Sequence, residues 1–283
     1  MTIKAGVIGW PIEHSLSPHI HQFWLDEFGL DGAYERLACE PGPVSFGAFV
    51  KQLRHQGYAG CNVTLPHKAH AARVADHKTD LVHRLGVANT LSFTDEGIEA
   101  DNTDVAGFSA CLDRLLGQDQ PLGQPLGRAL VLGAGGAAPA ILEALAAKGA
   151  PEIAIANRTS AKAWDLVGAL PHLPLKVVDW TNISAMVANV SCVVNATSLG
   201  MVGQPVLPIS LDRARPGTLI ADIVYTPLET DLLRQAREKS LPHIGGLPML
   251  LAQAAPGFQR WYGQPPEVTP ALEAFIKSLL EGS

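Results

Sequence analysis

Strand-like and helix-like segments alternate along nearly all of this 283-residue chain, which predicts an α/β protein of two domains with parallel sheet. Three observations carry that expectation. The length exceeds a usual compact domain and suits two. Hydrophobic residues make up 47% of the chain, enough for full cores and too many for a disordered polymer. A stretch rich in Gly, Pro and Gln, Gly117 to Arg128, separates two strand–helix series and reads as the crossover between domains.

In the first series, the apolar run Ile3–Gly9 ends at Gly-Trp-Pro and reads as a strand stopped by a turn. Ser17 and Pro18 suit the cap and first position of a helix whose apolar face is Ile20, Phe23, Trp24 and Phe28. Tyr34–Cys39 and Gly60–Leu65 read as strands around a helix at Val44–His55, the second strand stopped by Pro66. Asn89–Thr94 and Ile98–Asp101 form a hairpin pattern, and Asp104–Leu116 is helical.

The second series starts at Arg128. It reads strand Ala129–Leu132, helix Ala137–Lys148, strand Glu152–Ala156, helix Ala161–Leu170 and strand Leu175–Val178. Strands Cys192–Asn195 and Leu219–Ile223, helix Glu229–Lys239 and a short strand near His243 follow. The helical tail, Met249–Gly263 and Thr269–Leu280, is expected to pack back on the first domain. We place the domains at residues 1–105 and 106–246, with the returning helices at 247–283.

Composition narrows the function. A net charge of −6 and the lack of any Lys/Arg-rich run argue against nucleic-acid binding. The N-terminal apolar run is too short for a signal peptide, and no apolar stretch is long enough to span a bilayer. The four cysteines are scattered without a C-x-x-C pair, so we expect reduced, mostly buried thiols and a cytoplasmic protein. The ten histidines lack metal-ligand spacing and read as surface or loop residues, so no metal is expected.

The strongest motif is Gly133-Ala134-Gly135-Gly136-Ala137-Ala138, which follows a strand and opens a helix, the context of a Rossmann dinucleotide site. Glycines there permit a tight turn and close backbone approach to a pyrophosphate at the positive end of the helix. NAD sites usually place an acid about 20 residues on, against the ribose hydroxyls. Here Asn157, 22 residues after Gly135, begins Asn157-Arg158-Thr159 and no acid is present. Arg158 and Lys162 would attract a 2′-phosphate, so the pattern favours NADP.

The first series carries more polar groups than folding requires. Ser15 and Ser17 follow the first strand, Asn62 and Thr64 end the third, and Lys68 follows Pro66. Asn89-Thr90 and Asp101-Asn102-Thr103-Asp104 come next. Each has a plain structural reading: Ser17 and Asp104 as helix caps, Asn102 as a turn former. Together, at strand ends, they suit a small polyhydroxylated ligand held in the cleft between the domains.

In motif order the chain resembles the shikimate dehydrogenase family. The likeness rests on Gly9–Pro18, Gly60–Lys68, Asn89-Thr90, Asn102–Asp104, Gly133–Ala137, Asn157–Thr159, Asn195–Met201, Asp222–Pro227 and Gly246–Gln253. It implies NADP-dependent hydride transfer between C3 of shikimate and the cofactor, within aromatic amino-acid biosynthesis, by a monomer or homodimer. It implies that Ser15 and Ser17 hold the substrate carboxylate. Thr64, Lys68, Asn89, Asp104 and Gln253 would contact the ring hydroxyls, with Tyr225 also reaching the substrate. Lys68 and Asp104 would be the catalytic pair. Gly133–Ala137 and Asn157–Lys162 would bind the cofactor, with Ile223 and Gly246 near the nicotinamide and Asp80 a further contact. Three positions depart from the family pattern: His67 for Phe, Pro139 for Arg, and Pro248 for Gly in what reads as a loop near the nicotinamide. A quinate/shikimate dehydrogenase of looser choice and a non-catalytic NADP sensor stay open as alternatives; retention of Lys68 and Asp104 speaks against the sensor.

Overall fold

The computed structural model describes residues 2–117 and 125–282. Most of the expected crossover, residues 118–124, lies outside them. The chain divides into two units: Met1–Asp104 with Leu251–Leu279, and Val105–Leu250 with Leu280–Ser283.

The first unit contains β1 (Ile3–Gly9), α1 (Ser17–Phe28), β2 (Gly32–Ala38), α2 (Pro43–His55) and β3 (Tyr58–Val63). Then come α3 (Lys68–Val74), β4 (His77–Lys78), α4 (Asp80–Leu85), β5 (Thr90–Thr94) and β6 (Gly97–Asp101). The six strands form one mixed sheet in the order β2-β1-β3-β5-β6-β4. β1 runs parallel to β2 and β3, while β5 is antiparallel to β3 and β6. Its core includes Ile8, Phe46, Val50, Cys61, Val63, Val82, Leu91 and Ile98.

Several expectations need correction here. Ser17 is not the cap of α1 but its first residue; Leu16 caps without a side-chain bond, so the helix starts one residue early. Phe28 is 37% exposed and Leu25 is buried in its stead, because the inward face drifts toward Ile20, His21, Trp24 and Leu25. The third strand ends at Val63, since the backbone turns once Thr64 N–H has bonded Ile8 C=O, and His67 N–H closes that turn on Thr64 C=O. The segment α3–β4–α4 has no counterpart in the sequence pattern; its elements have two to seven residues, too short for a clear period.

The second unit begins within α5 (Asp104–Leu116) and continues β7 (Ala129–Leu132), α6 (Ala138–Ala147), β8 (Ile153–Ala156), α7 (Ser160–Ala169) and β9 (Leu175–Val177). Next are α8 (Ile183–Met186), flanked by 3₁₀ turns, β10 (Cys192–Asn195), β11 (Leu219–Asp222), α9 (Asp231–Glu238) and β12 (His243–Ile244). All pairings in this sheet are parallel, in the order β12-β11-β10-β7-β8-β9. The order reverses between β7 and β10, the place where open α/β sheets bind ligands. α9 starts at Asp231 rather than Glu229, because Thr230 caps it by accepting Leu233 N–H.

The tail forms α10 (Leu247–Tyr262) and α11 (Pro270–Glu281). From Leu251 it belongs to the first unit. There Trp261 Nε1–H bonds Leu91 C=O, Tyr262 O–H bonds Ala33 C=O, and Arg260 pairs with Asp101 at 2.5 Å. Pro248 is the second residue of α10, not part of a loop, so its missing N–H costs the helix little. The same holds for Pro139 at the start of α6.

Candidate active site

The polar residues of the first unit converge through hydrogen bonds. Lys68, the first residue of α3, is 9% exposed, and Asp104, just past β6, is 5% exposed. Lys68 Nζ donates to Asp104 Oδ2 at 2.5 Å. Asn89 Nδ2 donates to Asp104 Oδ1 at 2.9 Å and to Gln253 Oε1 at 3.2 Å. Asp104 is therefore not a helix cap. Both its oxygens face side chains, and its own N–H donates to Asn102 Oδ1 at 3.1 Å. A cation held by one charge-assisted bond on a shared carboxylate keeps its other N–H groups for a ligand.

Asn89 is fixed in turn. Its Oδ1 accepts from Thr103 N–H at 2.7 Å and from Thr90 Oγ1 at 3.0 Å, so its amide must point Nδ2 at Asp104. Asn62 on β3 stands opposite Thr90 on β5, and its Nδ2 donates to Thr90 Oγ1 at 3.2 Å. The sequence marked Asn62, Thr90 and Thr103 as polar without giving them a role. Their signal is burial of three uncharged hydrogen-bonding residues, which the sequence alone does not reveal.

The remaining expected residues are less tightly joined. Ser17 is buried and Ser15 half-buried, with Ser17 N–H reaching Ser15 Oγ at 3.4 Å. Arg36, which the sequence did not suggest, holds Ser15 C=O through Nε and Nη2 at 3.1 and 2.7 Å. Thr64 packs on Gly9, where a Cβ would meet its Cγ2 at 2.5 Å. His67 is buried and stacked on Phe46, its Nε2 2.8 Å from Cys39 C=O, so the imidazole occupies core space. Asp80 opens α4 and is exposed.

The second unit builds its site from backbone. Gly133 follows β7 with φ +109°, and a Cβ there would lie 2.9 Å from Ala196 C=O on the loop after β10. Nothing lies within 4 Å of a Cβ built on Gly135, so a ligand has room against the loop. Asn157 Oδ1 accepts Ala134 N–H at 3.1 Å and its Nδ2 donates to Thr159 C=O at 2.8 Å, tying the Gly-rich loop to the end of β8. Arg158 and Lys162 are exposed beside it. These features fit a dinucleotide: a helix N-terminus, space at its mouth and two cations where an acid would otherwise stand.

A third loop set lies after β10 and β11. Asp222, 2% exposed, accepts from Asn195 Nδ2 at 2.9 Å, Val224 N–H at 3.0 Å and Thr230 Oγ1 at 2.7 Å. Burial raises its pKa above the usual carboxylate value. That network fixes Ile223 and Val224, and Gly246 fits because Ile223 C=O would lie 2.1 Å from any Cβ there. Tyr225 is half-buried in the same loop, and burial raises its phenol pKa. No group of three or more His, Cys, Asp or Glu suited to a metal occurs among the described residues.

Comparison with known proteins decides the family. Residues 7–91 match the model of the shikimate dehydrogenase substrate binding domain, and residues 124–207 that of shikimate / quinate 5-dehydrogenase. A shikimate dehydrogenase (NADP(+)) of Paramagnetospirillum magneticum is 44% identical over 97% of this chain and 98% of its own. The chain belongs to the shikimate dehydrogenase family. Another relative so named, from Acidiphilium cryptum, is 46% identical over 98% of this chain and 97% of its own. The shikimate 5-dehydrogenase of Thermus thermophilus, solved with NADP(H) and shikimate, superposes with TM-score 0.82 at 32% identity, covering 99% of this chain and 100% of that one. A quinate dehydrogenase from Corynebacterium glutamicum in complex with NAD superposes with TM-score 0.88 at 26% identity, covering 97% and 99%.

Proposed function

We propose that the protein interconverts shikimate and 3-dehydroshikimate with NADP. The observation that carries this is the group of buried Lys68, Asp104 and Asn89 with half-buried Gln253, joined by hydrogen bonds from four separate parts of the chain. Ser15, Ser17 and Thr64 complete the substrate set, with Tyr225 from the second unit. Gly133–Ala137, Asn157–Thr159 and Lys162 hold the cofactor; Ile223, Gly246 and Asp80 are further contacts.

NADP, when bound, supplies the hydride chemistry. The protein manages the proton and the orientation. In reduction of the ketone, Lys68 Nζ–H donates to the oxygen as negative charge builds on it. In oxidation the hydroxyl proton leaves to the same nitrogen once it is deprotonated. Asp104 aims Lys68 with one oxygen and accepts from Asn89 with the other. Gln253 brings a further amide beside neighbouring hydroxyls, while Asn89, its own amide hydrogens directed to Asp104 and Gln253, holds the group together.

The family relation favours shikimate, since the relatives at 44% and 46% identity carry that name and the quinate enzyme is 26% identical. Four free, buried cysteines suit the reducing cytoplasm, where we place the protein. No helix among the described residues is long and apolar enough to cross a membrane. Purified protein mixed with NADP and shikimate should raise the nicotinamide absorbance, and omission of shikimate should abolish the rise. No rise with both present would contradict this function.

A further inference from the structure

Arg36 is a charge without a counter-charge. It lies on β2, paired with Val7 of β1. Tyr34, two residues earlier on the same strand, stacks on His21 of α1 with ring centroids 3.7 Å apart, and donates its hydroxyl to Asn62 Oδ1 at 2.7 Å. Side chains two residues apart share a face of a sheet, so Arg36 lies on the same face, nearer the end of β2. There it reaches the turn that leads into α1. Its Nε–H and Nη2–H both donate to Ser15 C=O, at 3.1 and 2.7 Å. Nη2 also lies 3.4 Å from His19 Nε2; a guanidinium only donates, so that ring nitrogen accepts.

These bonds decide where Ser15 points. Its N–H is held by Ile12 C=O at 3.1 Å, and Leu16, the residue that caps α1, makes no side-chain bond. With the fork of Arg36 on its C=O, Ser15 is fixed through both backbone polar groups. Its Oγ, which accepts Ser17 N–H at 3.4 Å, is aimed accordingly.

Fold stability does not account for the charge. A helix N-terminus carries partial positive charge and favours acids, so a cation beside it is repelled. α1 has no acid in its first turn, and Glu13 turns its carboxylate to Ile12 N–H. Among the described residues Arg36 pairs with no carboxylate, and its Nη1 makes no bond to the protein. A neutral donor would hold Ser15 C=O without the repulsion. What the guanidinium adds is attraction for an anion at Ser15 and Ser17, and an anion bound there relieves the repulsion.

We propose that Arg36 makes this end of the site selective for a carboxylate: it is a positioning residue for Ser15 and supplies the positive charge that the serine hydroxyls lack. This rests on the reading of Ser15 and Ser17 as holders of the substrate carboxylate. Arg36 takes no part in moving the proton or the hydride. Its loss should therefore weaken shikimate binding and leave the chemical step largely intact.

The test compares shikimate with its methyl ester, which keeps the ring and hydroxyls and lacks the charge. Both are assayed with NADP on the full chain and on Arg36→Ala. In the parent, kcat/KM should favour the free acid. In Arg36→Ala, KM for shikimate should rise about tenfold, the scale of one charge-assisted contact, with kcat changed less than about threefold. KM for NADP should stay within about twofold of the parent. KM for the ester should rise less than about threefold, so the preference for the acid shrinks; a general loss of structure would penalise acid and ester alike. Arg36 is exposed, so the variant should fold. Should it not, Arg36→Gln, which keeps a donor and no charge, gives the same comparison. Equal losses for acid and ester, an unchanged KM for shikimate, or an active parent that does not distinguish acid from ester would overturn the role of Arg36 alone. A parent inert toward shikimate with NADP would overturn the functional reading and this inference together.

Discussion

The two units solve different recognition problems with different parts of the polypeptide. In the first unit the proposed site is made of side chains: Lys68, Asn89, Asp104 and Gln253 come from four separate parts of the chain and are joined by hydrogen bonds. In the second it is made of backbone: Gly133 to Ala137 form one continuous turn, opened by a positive φ and tied down by Asn157. A phosphate chain can be held by N–H groups at a helix end, whatever side chains lie behind. A ring bearing several hydroxyls demands donors and acceptors at fixed angles, and those need buried partners to hold them. Single substitutions should therefore be far more damaging in the first unit than in the second.

The sharpest break in that contrast comes from Lys68→Ala. We expect kcat to fall by roughly 10²-fold or more, the usual scale for a lost acid–base group, while KM for shikimate moves far less. Asp104→Asn should lower kcat and also raise KM, since its carboxylate orders both Lys68 and Asn89. Steady-state kinetics on folded variants decides it, and a Lys68→Ala kcat within a few-fold of the parent would remove Lys68 from the chemistry.

A smaller effect is expected in the second unit. Arg158 is exposed and follows β8, so Arg158→Ala should lower kcat/KM for NADP by about 10- to 100-fold, as for one charge-assisted phosphate contact. The values for NAD should hardly move. Equal losses with both cofactors would show that Arg158 acts on something other than the 2′-phosphate.

The third effect is on stability and concerns the packing behind the first site. His21 is fully buried, neither ring nitrogen has a hydrogen-bond partner, and burial lowers its pKa from 6.5 to about 3. Below pH 6.5 the unfolded chain binds a proton that the folded one refuses, so stability is full above 6.5 and drains away as pH falls toward 3. Between about pH 7 and about pH 4 this residue should cost the parent about 3 kcal/mol, and His21→Phe should remove that part of the acid loss. Denaturant midpoints at the two pH values would test it; equal acid losses in parent and variant would mean His21 already takes up its proton in the folded state.

The contrast also explains what could be read from the sequence. The Gly-rich loop, Asn157 and Arg158 lie in short contiguous motifs with a known physical reason, and their strand-turn-helix setting is present as expected. Strands β1, β7 and β10 and helix α5 were legible to the residue from apolar runs and their stops. The Asn62–Thr90–Asn89 path was not, since it depends on strand register between residues nearly thirty positions apart. Tyr34 gave no signal at all: an aromatic in a strand reads as core, and its hydroxyl's partner is visible only once β2, β1 and β3 are side by side. Pro248 misled for a similar reason, because a proline one residue into a helix looks in sequence like one in a loop.

The most direct test of the proposed activity is a set of four kcat/KM values, for shikimate and quinate each with NADP and NAD. Shikimate with NADP should be the best pair, because Arg158 stands where an acid would select NAD and, in the proposed site, the carboxylate end at Ser15 and Ser17 must take quinate's extra C1 hydroxyl. A higher value for quinate, or equal use of NAD and NADP by the unmodified protein, would contradict that reading and favour a quinate/shikimate dehydrogenase of looser choice.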